Sequence, residues 1–252
     1  MKDHIHQTAK IEKDCVVGYQ TVIGEKVTVG KQCRIGHHVI VHQEVEISEG
    51  VRIDDHAVIG KYPMKAAMSA MTQEKKFKPA VIGDKCIIGT GAVVYRGCRL
   101  GEEVLVADGA SVREEVEIGD KTIIGRLVTI ENDVKIGEKC KILTAAYIPA
   151  LSRIGDFCFI APGVTFTNDN FLGRTEKRFK YHKGVTLERG ARVGANATVL
   201  PGKIIGEDAL VAAGSVITKD VPARKIVMGS PAEVVGDVPE EQWVDNQDGF
   251  MR

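Results

Sequence analysis

The amino-acid sequence predicts an all-β solenoid, and three observations lead to that fold class. An aliphatic or aromatic residue, here called an anchor, recurs at every sixth position in one phase through most of the 252-residue chain. A six-residue period fits neither a helix of 3.6 residues per turn nor a plain alternating strand. A small side chain precedes most anchors by two positions, and glycine often follows them directly. Each hexad is therefore expected to form one short strand and one bend, with the anchors stacked in a continuous core.

Two irregular segments divide the anchors into three runs. The runs extend from Ile5 to Ile59, from Ile82 to Phe166 and from Leu187 to Ile217. Glycines directly after anchors, such as Gly18 and Gly36, are predicted to form tight bends that need a positive φ.

The cysteines all stand in the small-residue position, two before an anchor. They are Cys15, Cys33, Cys86, Cys98, Cys140 and Cys158. Cysteine there is expected to pack as a small hydrophobe. Because no CxxC spacing occurs, neither disulfides nor a metal site is predicted from these residues.

Composition and organisation favour one protein domain free in the cytoplasm. Lysine plus arginine and aspartate plus glutamate number 34 each, which provides no basic field for nucleic acid or a membrane. The repeat begins at Ile5, which leaves no signal peptide, and no 18-residue apolar run occurs. The predicted domain spans residues 1–232, with loops at 60–81 and 167–186. Residues 233–252 form a tail expected to fold back or to be partly helical.

The repeat resembles that of a known enzyme family. The hexad Ile118–Ile123, with glycine after the anchor and Thr122 before the next anchor, is similar to the hexapeptide repeat of the left-handed parallel β-helix acyltransferases. This resemblance implies a left-handed β-helix of about ten coils with three hexads in each coil. It also implies acetyl-CoA as acyl donor and a homotrimer with active sites between subunits.

A zinc-binding branch of this fold is a weaker match. His37 and His42 have the spacing of two ligands in the hexapeptide-type carbonic anhydrases, but Met1 stands where that family has its third histidine. No metal is therefore predicted, and His37, His38, His42 and His56 are expected to be exposed bend residues or interface contacts.

The first irregular segment carries five lysines between Gly60 and Lys78. Because it breaks the repeat, it is expected to project from the solenoid. Functional residues concentrate in such loops. One hypothesis is a phosphate-binding arm for a nucleotide-linked substrate, with Lys65 as the contact. The alternative is a solvated loop or a trimer clasp.

The second irregular segment begins with a more specific motif. The string Phe166–Asn170 is similar to one in nucleotide-linked amino-sugar N-acetyltransferases, including those acting on dTDP-3-amino-3,6-dideoxyhexoses. This resemblance implies that the loop reaches a neighbouring subunit's site, with Asn168, Asp169 and His182 binding substrate. His182 is the one candidate for a general base. The alternative is a simple Asx turn.

A third set of residues lies on the predicted scaffold and consists of Tyr95, Arg96, Asp108, Arg113, Glu114 and Glu115. Asp108 and Glu114 both stand two positions after an anchor and should point outward. Arg96 precedes Glu114 by one predicted coil, as Tyr95 precedes Arg113, so these side chains should stack. The resemblance to amino-sugar acetyltransferases favours a patch that binds the sugar through Tyr95, Arg96 and Arg113. Asp108, Glu114 and Glu115 would orient its amine. The alternative is a ladder of weak surface ion pairs.

The C-terminal third carries the predicted acetyl-CoA site. Gly194–Ala195 and Ala212–Ala213 are one coil apart, which should leave a narrow groove of exposed backbone for a pantetheine arm. Lys219–Ala232 is similar to the segment that ends many hexapeptide acyltransferases. The cofactor-binding residues implied are Ala195, Ala213, Gly214, Lys219, Arg224 and Lys225. A structural end cap is the alternative.

The expected function is acetyl-CoA-dependent N-acetylation of a nucleotide-linked amino-deoxysugar, such as a dTDP-3-amino-3,6-dideoxyhexose, in surface polysaccharide synthesis. The amine would attack the thioester directly in a ternary complex, with a backbone N–H near Gly214 or a loop amide stabilising the oxyanion. The alternatives are acetylation of another small amine or hydroxyl acceptor and a non-catalytic β-helix that binds nucleotide sugars.

Overall fold

A computed structural model describes residues 4–64 and 76–247. The fold is an all-β parallel solenoid, as predicted. In most hexads a two-residue strand turns its first side chain outward and its second, the anchor, into the core. The chain forms two compact units, residues 1–127 and 128–252. No helix in the described part of the chain is long and apolar enough to cross a membrane.

The first unit contains three parallel sheets, in which each strand pairs with the strand three hexads later. The sheet orders are β1-β4-β7-β10-β13-β16, β2-β5-β8-β11-β14-β17 and β3-β6-β9-β12-β15. The strands are β1 (Lys10–Ile11), β2 (Val16–Val17), β3 (Val22–Ile23), β4 (Thr28–Val29), β5 (Arg34–Ile35), β6 (Ile40–Val41), β7 (Glu46–Ile47), β8 (Arg52–Ile53), β9 (Val58–Lys61), β10 (Val81–Ile82), β11 (Ile87–Ile88), β12 (Val93–Tyr95), β13 (Arg99–Leu100), β14 (Leu105–Val106), β15 (Ser111–Val112), β16 (Glu117–Ile118) and β17 (Ile123–Ile124).

The second unit repeats this plan and ends in an antiparallel hairpin. Its sheets run β18-β21-β24-β27-β30, β19-β22-β25-β28 and β20-β23-β26-β29-β31-β32. Its elements are β18 (Thr129–Ile130), β19 (Lys135–Ile136), β20 (Lys141–Ile142), β21 (Tyr147–Ile148), β22 (Arg153–Ile154), β23 (Phe159–Ile160), β24 (Thr165–Phe166), α1 (Lys177–Tyr181), β25 (Thr186–Leu187), β26 (Arg192–Val193), β27 (Thr198–Val199), β28 (Ile204–Ile205), β29 (Leu210–Val211), β30 (Val216–Ile217), β31 (Lys225–Gly229) and β32 (Ala232–Asp237). Strand β32 folds back on β31, and two 3-10 helices, Glu240–Gln242 and Val244–Asn246, follow it.

The core follows the predicted pattern. Anchors such as Ile59 and Val94 are fully buried, and so are the small residues two positions earlier, such as Ala57. The six cysteines, all within the described residues, are thiols and form no disulfide. Burial raises the pKa of Cys86 to about 11 and that of Cys98 to about 12. These thiols therefore remain protonated and pack as small hydrophobes, as predicted.

The positive φ predicted for the glycines after the anchors is found at Gly60 (φ 76°) but not at Gly18 or Gly36. In those two hexads the positive φ falls two residues later, at Gln20 (φ 55°) and His38 (φ 55°). A Cβ on Gly18 would lie 2.4 Å from the carbonyl carbon of Gly36, in the next coil. Glycine is required there because the backbones of consecutive coils approach too closely for a side chain.

This close approach leads to a stability prediction. A Cβ on Gly83 would lie 2.3 Å from the carbonyl oxygen of Gly101, so Gly83→Ala should destabilise the protein by about 1–3 kcal/mol through overpacking. Gly236 is the matched control, because a Cβ there meets nothing within 4 Å. Denaturant unfolding measures both variants. Equal midpoints for Gly83→Ala and Gly236→Ala would refute this explanation.

Candidate functional site

The bends use a recurring hydrogen bond that decides how Asp108 is placed. The residue two positions after an anchor often donates its backbone N–H to the side chain of the equivalent residue one coil later. The turn aspartates that accept such a bond are Asp55 from His37, Asp84 from Glu49, Asp108 from Thr90, Asp120 from Glu102 and Asp156 from Glu138, at 2.7–3.0 Å. Asp108 is exposed, as predicted. Its Oδ1 is used by Thr90, which leaves Oδ2 facing outward without a donor among the described residues.

Arg96 is buried beneath the start of the first loop. Its side chain is only 3% exposed. Nη1 donates to the carbonyl oxygen of Gln43 and Nη2 pairs with Glu44 Oε2, both at 2.9 Å, while the guanidinium lies 4.7 Å from the centre of the Tyr62 ring. Arg96 therefore fixes the point where the loop leaves the solenoid.

Glu114 does not point outward, and this prediction was wrong. Its side chain is 3% exposed and forms a bidentate pair with Arg113, with N–O distances of 2.9 and 3.1 Å. The carboxylate can be buried because the guanidinium fork satisfies both of its oxygens. The predicted stacking of Arg113 on Tyr95 is confirmed, with the guanidinium 5.1 Å from the ring centre. Glu115, the next residue, is partly exposed.

The histidines of the first unit differ in their surroundings. His38 and His56 are exposed and stack at 5.0 Å, and His37 Nδ1 accepts the N–H of Tyr19. His42 is half-buried against the edge of Tyr62, at 6.0 Å between ring centres. Burial, with the nearby cations of Arg96 and Lys61, lowers the pKa of His42. In the described part of the chain no three His, Cys, Asp or Glu residues are grouped as metal ligands.

Lys65, the predicted phosphate contact, lies outside the described residues. Lys61, at the start of the same segment, has its Nζ 5.3 Å from the centre of the Tyr95 ring. A cation thus lies beside the aromatic part of the predicted sugar patch.

Asp169 organises the second loop. Its two carboxylate oxygens accept the N–H groups of Phe171 (2.8 Å) and Gly173 (3.0 Å), which is an Asx turn. Arg178 approaches the carboxylate to 3.5 Å, and His182 Nε2 to 3.6 Å. The bonds from Gly173 and Phe171, with His182 nearby, lower the pKa of Asp169.

The other predicted loop residues close its base. Asn168 accepts the N–H of Lys183 with its carbonyl oxygen at 3.3 Å, so the two ends of the loop meet. The His182 side chain is only 9% exposed and lies edge-on to Phe179. Asp169 and His182 are therefore brought together, inside the loop rather than on its outer surface.

The predicted stacking of the two small-residue bends is present in the second unit, and we name Gly194, Ala195 and Ala212–Gly214 the alanine ledge. A Cβ on Gly194 would lie 2.5 Å from the nitrogen of Ala213, so the two bends stack closely. Ala213 and Gly214 are exposed. The backbone N–H groups of Ala195 and Ala213 have no acceptor among the described residues, because no turn aspartate stands in the next coil.

The two neighbouring N–H groups of the ledge, those of Ala213 and Gly214, differ in whether they have an acceptor. The Gly214 N–H donates to the carbonyl oxygen of Ala195 at 2.8 Å, so it is not free to stabilise an oxyanion. The Ala213 N–H is the unoccupied donor beside it. The sequence did not indicate this difference, which depends on how consecutive bends pair.

The three predicted CoA-binding cations each have a partner within the chain. Lys219 pairs with Glu233 at 3.2 Å, and Lys225 pairs with Asp237. Arg224 lies 4.0 Å from the centre of the Trp243 ring. Lys219 and Arg224 remain exposed enough to exchange partners, since surface ion pairs are weak.

Two residues that hold Arg96 in place were not predicted from the sequence. Glu44 and Tyr62 hold Arg96, but Glu44 lies 52 residues from Arg96 because the first loop is inserted between them. The constant spacing of the repeat therefore gave no sign of the contact.

The coils and their bends define the class of protein as a hexapeptide solenoid, and comparison with known proteins agrees. The family model "Hexapeptide repeat of succinyl-transferase" matches residues 8–43 and 184–219, and that of the GMPPB C-terminal domain matches residues 26–116. A UDP-N-acetylglucosamine acyltransferase from Francisella novicida has a similar fold, with a TM-score of 0.52 at 20% identity over 92% of this chain and 68% of that chain.

Two curated relatives carry sequence similarity over part of their length. A dTDP-3-amino-3,6-dideoxy-alpha-D-galactopyranose 3-N-acetyltransferase from Aneurinibacillus thermoaerophilus is 42% identical over 65 residues, 24% of this chain and 34% of that protein. A serine acetyltransferase from Buchnera aphidicola is 34% identical over 90 residues, 33% of each protein. The matched part spans about a third of the length of these relatives. The repeat of this chain is thus similar to that of the hexapeptide acyltransferases, a repeat typical of left-handed β-helices.

The Asp169 turn predicts a pH-dependent loop. Because the pKa of Asp169 is lowered in the folded loop, its stabilising effect is complete above the ordinary aspartate pKa of about 3.9 and is lost as pH falls through the lowered value. Hydrogen exchange at the Phe171 and Gly173 amides, corrected for intrinsic rates, measures this. Protection should fall in acid, and at every pH in Asp169→Ala, which removes both acceptor oxygens. Glu176→Gln, an exposed charge change in the same loop, should preserve it, and protection in Asp169→Ala would refute the assignment.

Proposed function

We propose that the protein is an acetyl-CoA-dependent N-acetyltransferase acting on the amino group of a nucleotide-linked amino-deoxysugar, as a cytoplasmic homotrimer. The name of the Aneurinibacillus relative supports this substrate class. A dTDP-3-amino-3,6-dideoxyhexose is the proposed acceptor, and surface polysaccharide synthesis is the proposed use of the product.

The alanine ledge is the observation that carries the proposal. Its two stacked bends have no side chain beyond Cβ, and the N–H groups of Ala195 and Ala213 are unoccupied. A pantetheine arm is narrow and bears amide carbonyls that can accept from such N–H groups. Lys219, Arg224 and Lys225 would bind the CoA phosphates. The phosphates would replace the present intramolecular partners of these cations.

The acceptor side would use the accessible groups of the first unit. Asp108 presents Oδ2 outward, and Glu115 and Arg113 are partly exposed, so these residues can bind the sugar and orient its amine. Glu114 and Arg96 are buried and serve as positioning residues, the first for Arg113 and the second for the loop. Asn168 and the loop held by Asp169 and His182 would complete a neighbouring subunit's site.

The reaction is direct transfer. The neutral amine attacks the thioester carbonyl, the C–N bond forms and the C–S bond breaks, and the CoA thiolate takes the proton that the amine loses. An unoccupied N–H, such as that of Ala213, stabilises the oxyanion. No dedicated base is needed when the amine arrives neutral, so Asp108 orients the acceptor instead of removing its proton.

A second candidate is acetylation of a small hydroxyl or amine acceptor, because the Buchnera relative is named for serine. A panel of dTDP- and UDP-linked amino sugars with free serine, assayed by thiol release from acetyl-CoA, separates the two. A non-catalytic nucleotide-sugar-binding protein would release no thiol with any acceptor.

The role of Asp108 can be separated from its structural hydrogen bond. Asp108→Asn and Asp120→Asn weaken the same kind of bend, so each should lower stability by about 1 kcal/mol. Only Asp108→Asn should also lower kcat/KM for the amino sugar, by roughly 100-fold, through loss of orientation. Activity is measured on folded protein below the unfolding transition. Equal activity of the two variants would remove Asp108 from the site.

A leucine at the ledge should block the donor. Ala213→Leu places a branched side chain where pantetheine would lie and should weaken acetyl-CoA binding by at least about tenfold, or about 1.4 kcal/mol. Isothermal titration calorimetry measures it. Lys31→Leu, at the same hexad position of an exposed bend elsewhere, should leave affinity unchanged. Full affinity in Ala213→Leu would place the donor elsewhere.

A further inference from the structure

A cavity of about 180 Å³ lies in the second unit, beneath the residues that follow β32. Its floor is a row of outward side chains from three neighbouring strands: Lys141 of β20, Phe159 of β23 and Arg192 of β26. Because neighbouring strands lie about 4.8 Å apart, the two cations flank the phenyl ring. Gln242 and Val244 cover the row. The proposed acetyl transfer uses none of these residues.

Arg192 presents one unoccupied edge of its guanidinium. Nη1 donates to Gln242 Oε1 at 2.9 Å. Nε and Nη2 are buried and have no acceptor among the described residues. These two nitrogens form the side-on edge of a planar fork, whose parallel N–H groups match the two oxygens of a carboxylate.

The remaining lining selects the kind of anion. Among the described residues, no acidic side chain lines the cavity, whereas Lys139 and Lys141 add positive charge. Phe157 and Phe159 give it an aromatic wall. Asp208, whose Oδ2 is buried without a donor, attracts Arg192 without pairing with it, and its charge disfavours a dianion such as phosphate. The volume is below the roughly 300–1,000 Å³ of pockets for drug-sized ligands.

We propose that this cavity binds a small organic carboxylate with an aromatic or apolar body, about the size of benzoate. Nε and Nη2 of Arg192 are closed to solvent in the present structure, so the carboxylate accepts from them after the covering Gln242 and Val244 shift, and the body packs on Phe157 and Phe159. Because Gln242 and Val244 form the cover, the ligand joins the tail to the solenoid and raises the stability of the folded protein by mass action.

The experiment titrates the full chain with benzoate, benzamide and inorganic phosphate by calorimetry and thermal unfolding. Benzoate should bind saturably and raise Tm, whereas benzamide, its neutral counterpart, should bind at least about tenfold more weakly. Arg192→Gln should lose at least about tenfold in benzoate affinity, or about 1.4 kcal/mol. Arg153→Gln, which changes an arginine at the same outward position of β22, should bind benzoate normally.

A second variant keeps the test independent of the stability of the tail. Val244→Trp fills the cavity without altering the guanidinium and should also abolish benzoate binding. Any one of three results overturns the proposal. The first is no saturable benzoate binding up to about 10 mM, a concentration that as a Kd corresponds to about 2.7 kcal/mol. The others are binding of benzamide or phosphate as tight as that of benzoate, and unchanged benzoate affinity in Arg192→Gln and Val244→Trp. None of these measurements depends on acetyl transfer, so failure here leaves that proposal untouched.

Discussion

The distance between consecutive coils is the constraint on which the rest of the structure depends. Parallel strands lie about 4.8 Å apart, and every hexad maintains that distance with backbone hydrogen bonds such as that from the Gly36 N–H to the Ile53 carbonyl, at 2.7 Å. The anchor side chains fill the interior and the glycines allow the bends to touch. Among the described residues the interior is filled by buried anchors and small side chains, so chemistry is expected on bends, outer faces and inserted segments.

The residue two positions after each anchor controls what a bend can do. Where it is aspartate, as at Asp120, it accepts the N–H of the bend before it and closes the backbone. Where it is alanine, as at Ala213, the N–H of the bend before it, that of Ala195, has no acceptor among the described residues. The solenoid thus exposes a backbone donor where an accepting side chain is missing. An omission of this kind costs little stability, because an exposed N–H is solvated by water.

The sequence predicted the features that follow from the constant spacing of the repeat. The anchors, the buried cysteines, the contact of Arg113 with Tyr95 and the stacking of Ala195 on Ala213 all depend on residues one coil apart. Contacts made by inserted or terminal segments have no fixed spacing, so the pairing of Arg96 with Glu44 could not be predicted.

Burial of charged bend residues was also beyond the pattern. Glu114 has the same hexad position as Asp108, yet one is buried and the other exposed. The difference lies in the neighbouring side chain, since Arg113 supplies a fork that satisfies both oxygens of Glu114. Hexad position gives the direction of the Cα–Cβ bond, whereas the preferred partner decides where a long side chain ends. The glycines after the anchors show the same limit of sequence-based prediction. Close contact between the backbones of two coils and a positive φ both favour glycine, so the sequence does not tell which of the two applies.

Arg96 and Arg192 show how the same residue type yields different properties beneath a covering segment. Both guanidinium groups are at least partly buried by chain that returns over the solenoid. Arg96 uses both terminal nitrogens on Gln43 and Glu44, so only its Nε is left, and a single N–H cannot form a fork. Arg192 uses one terminal nitrogen, and the two that remain lie on one edge. The first arrangement holds a segment in place, whereas the second retains the geometry that recognises a carboxylate.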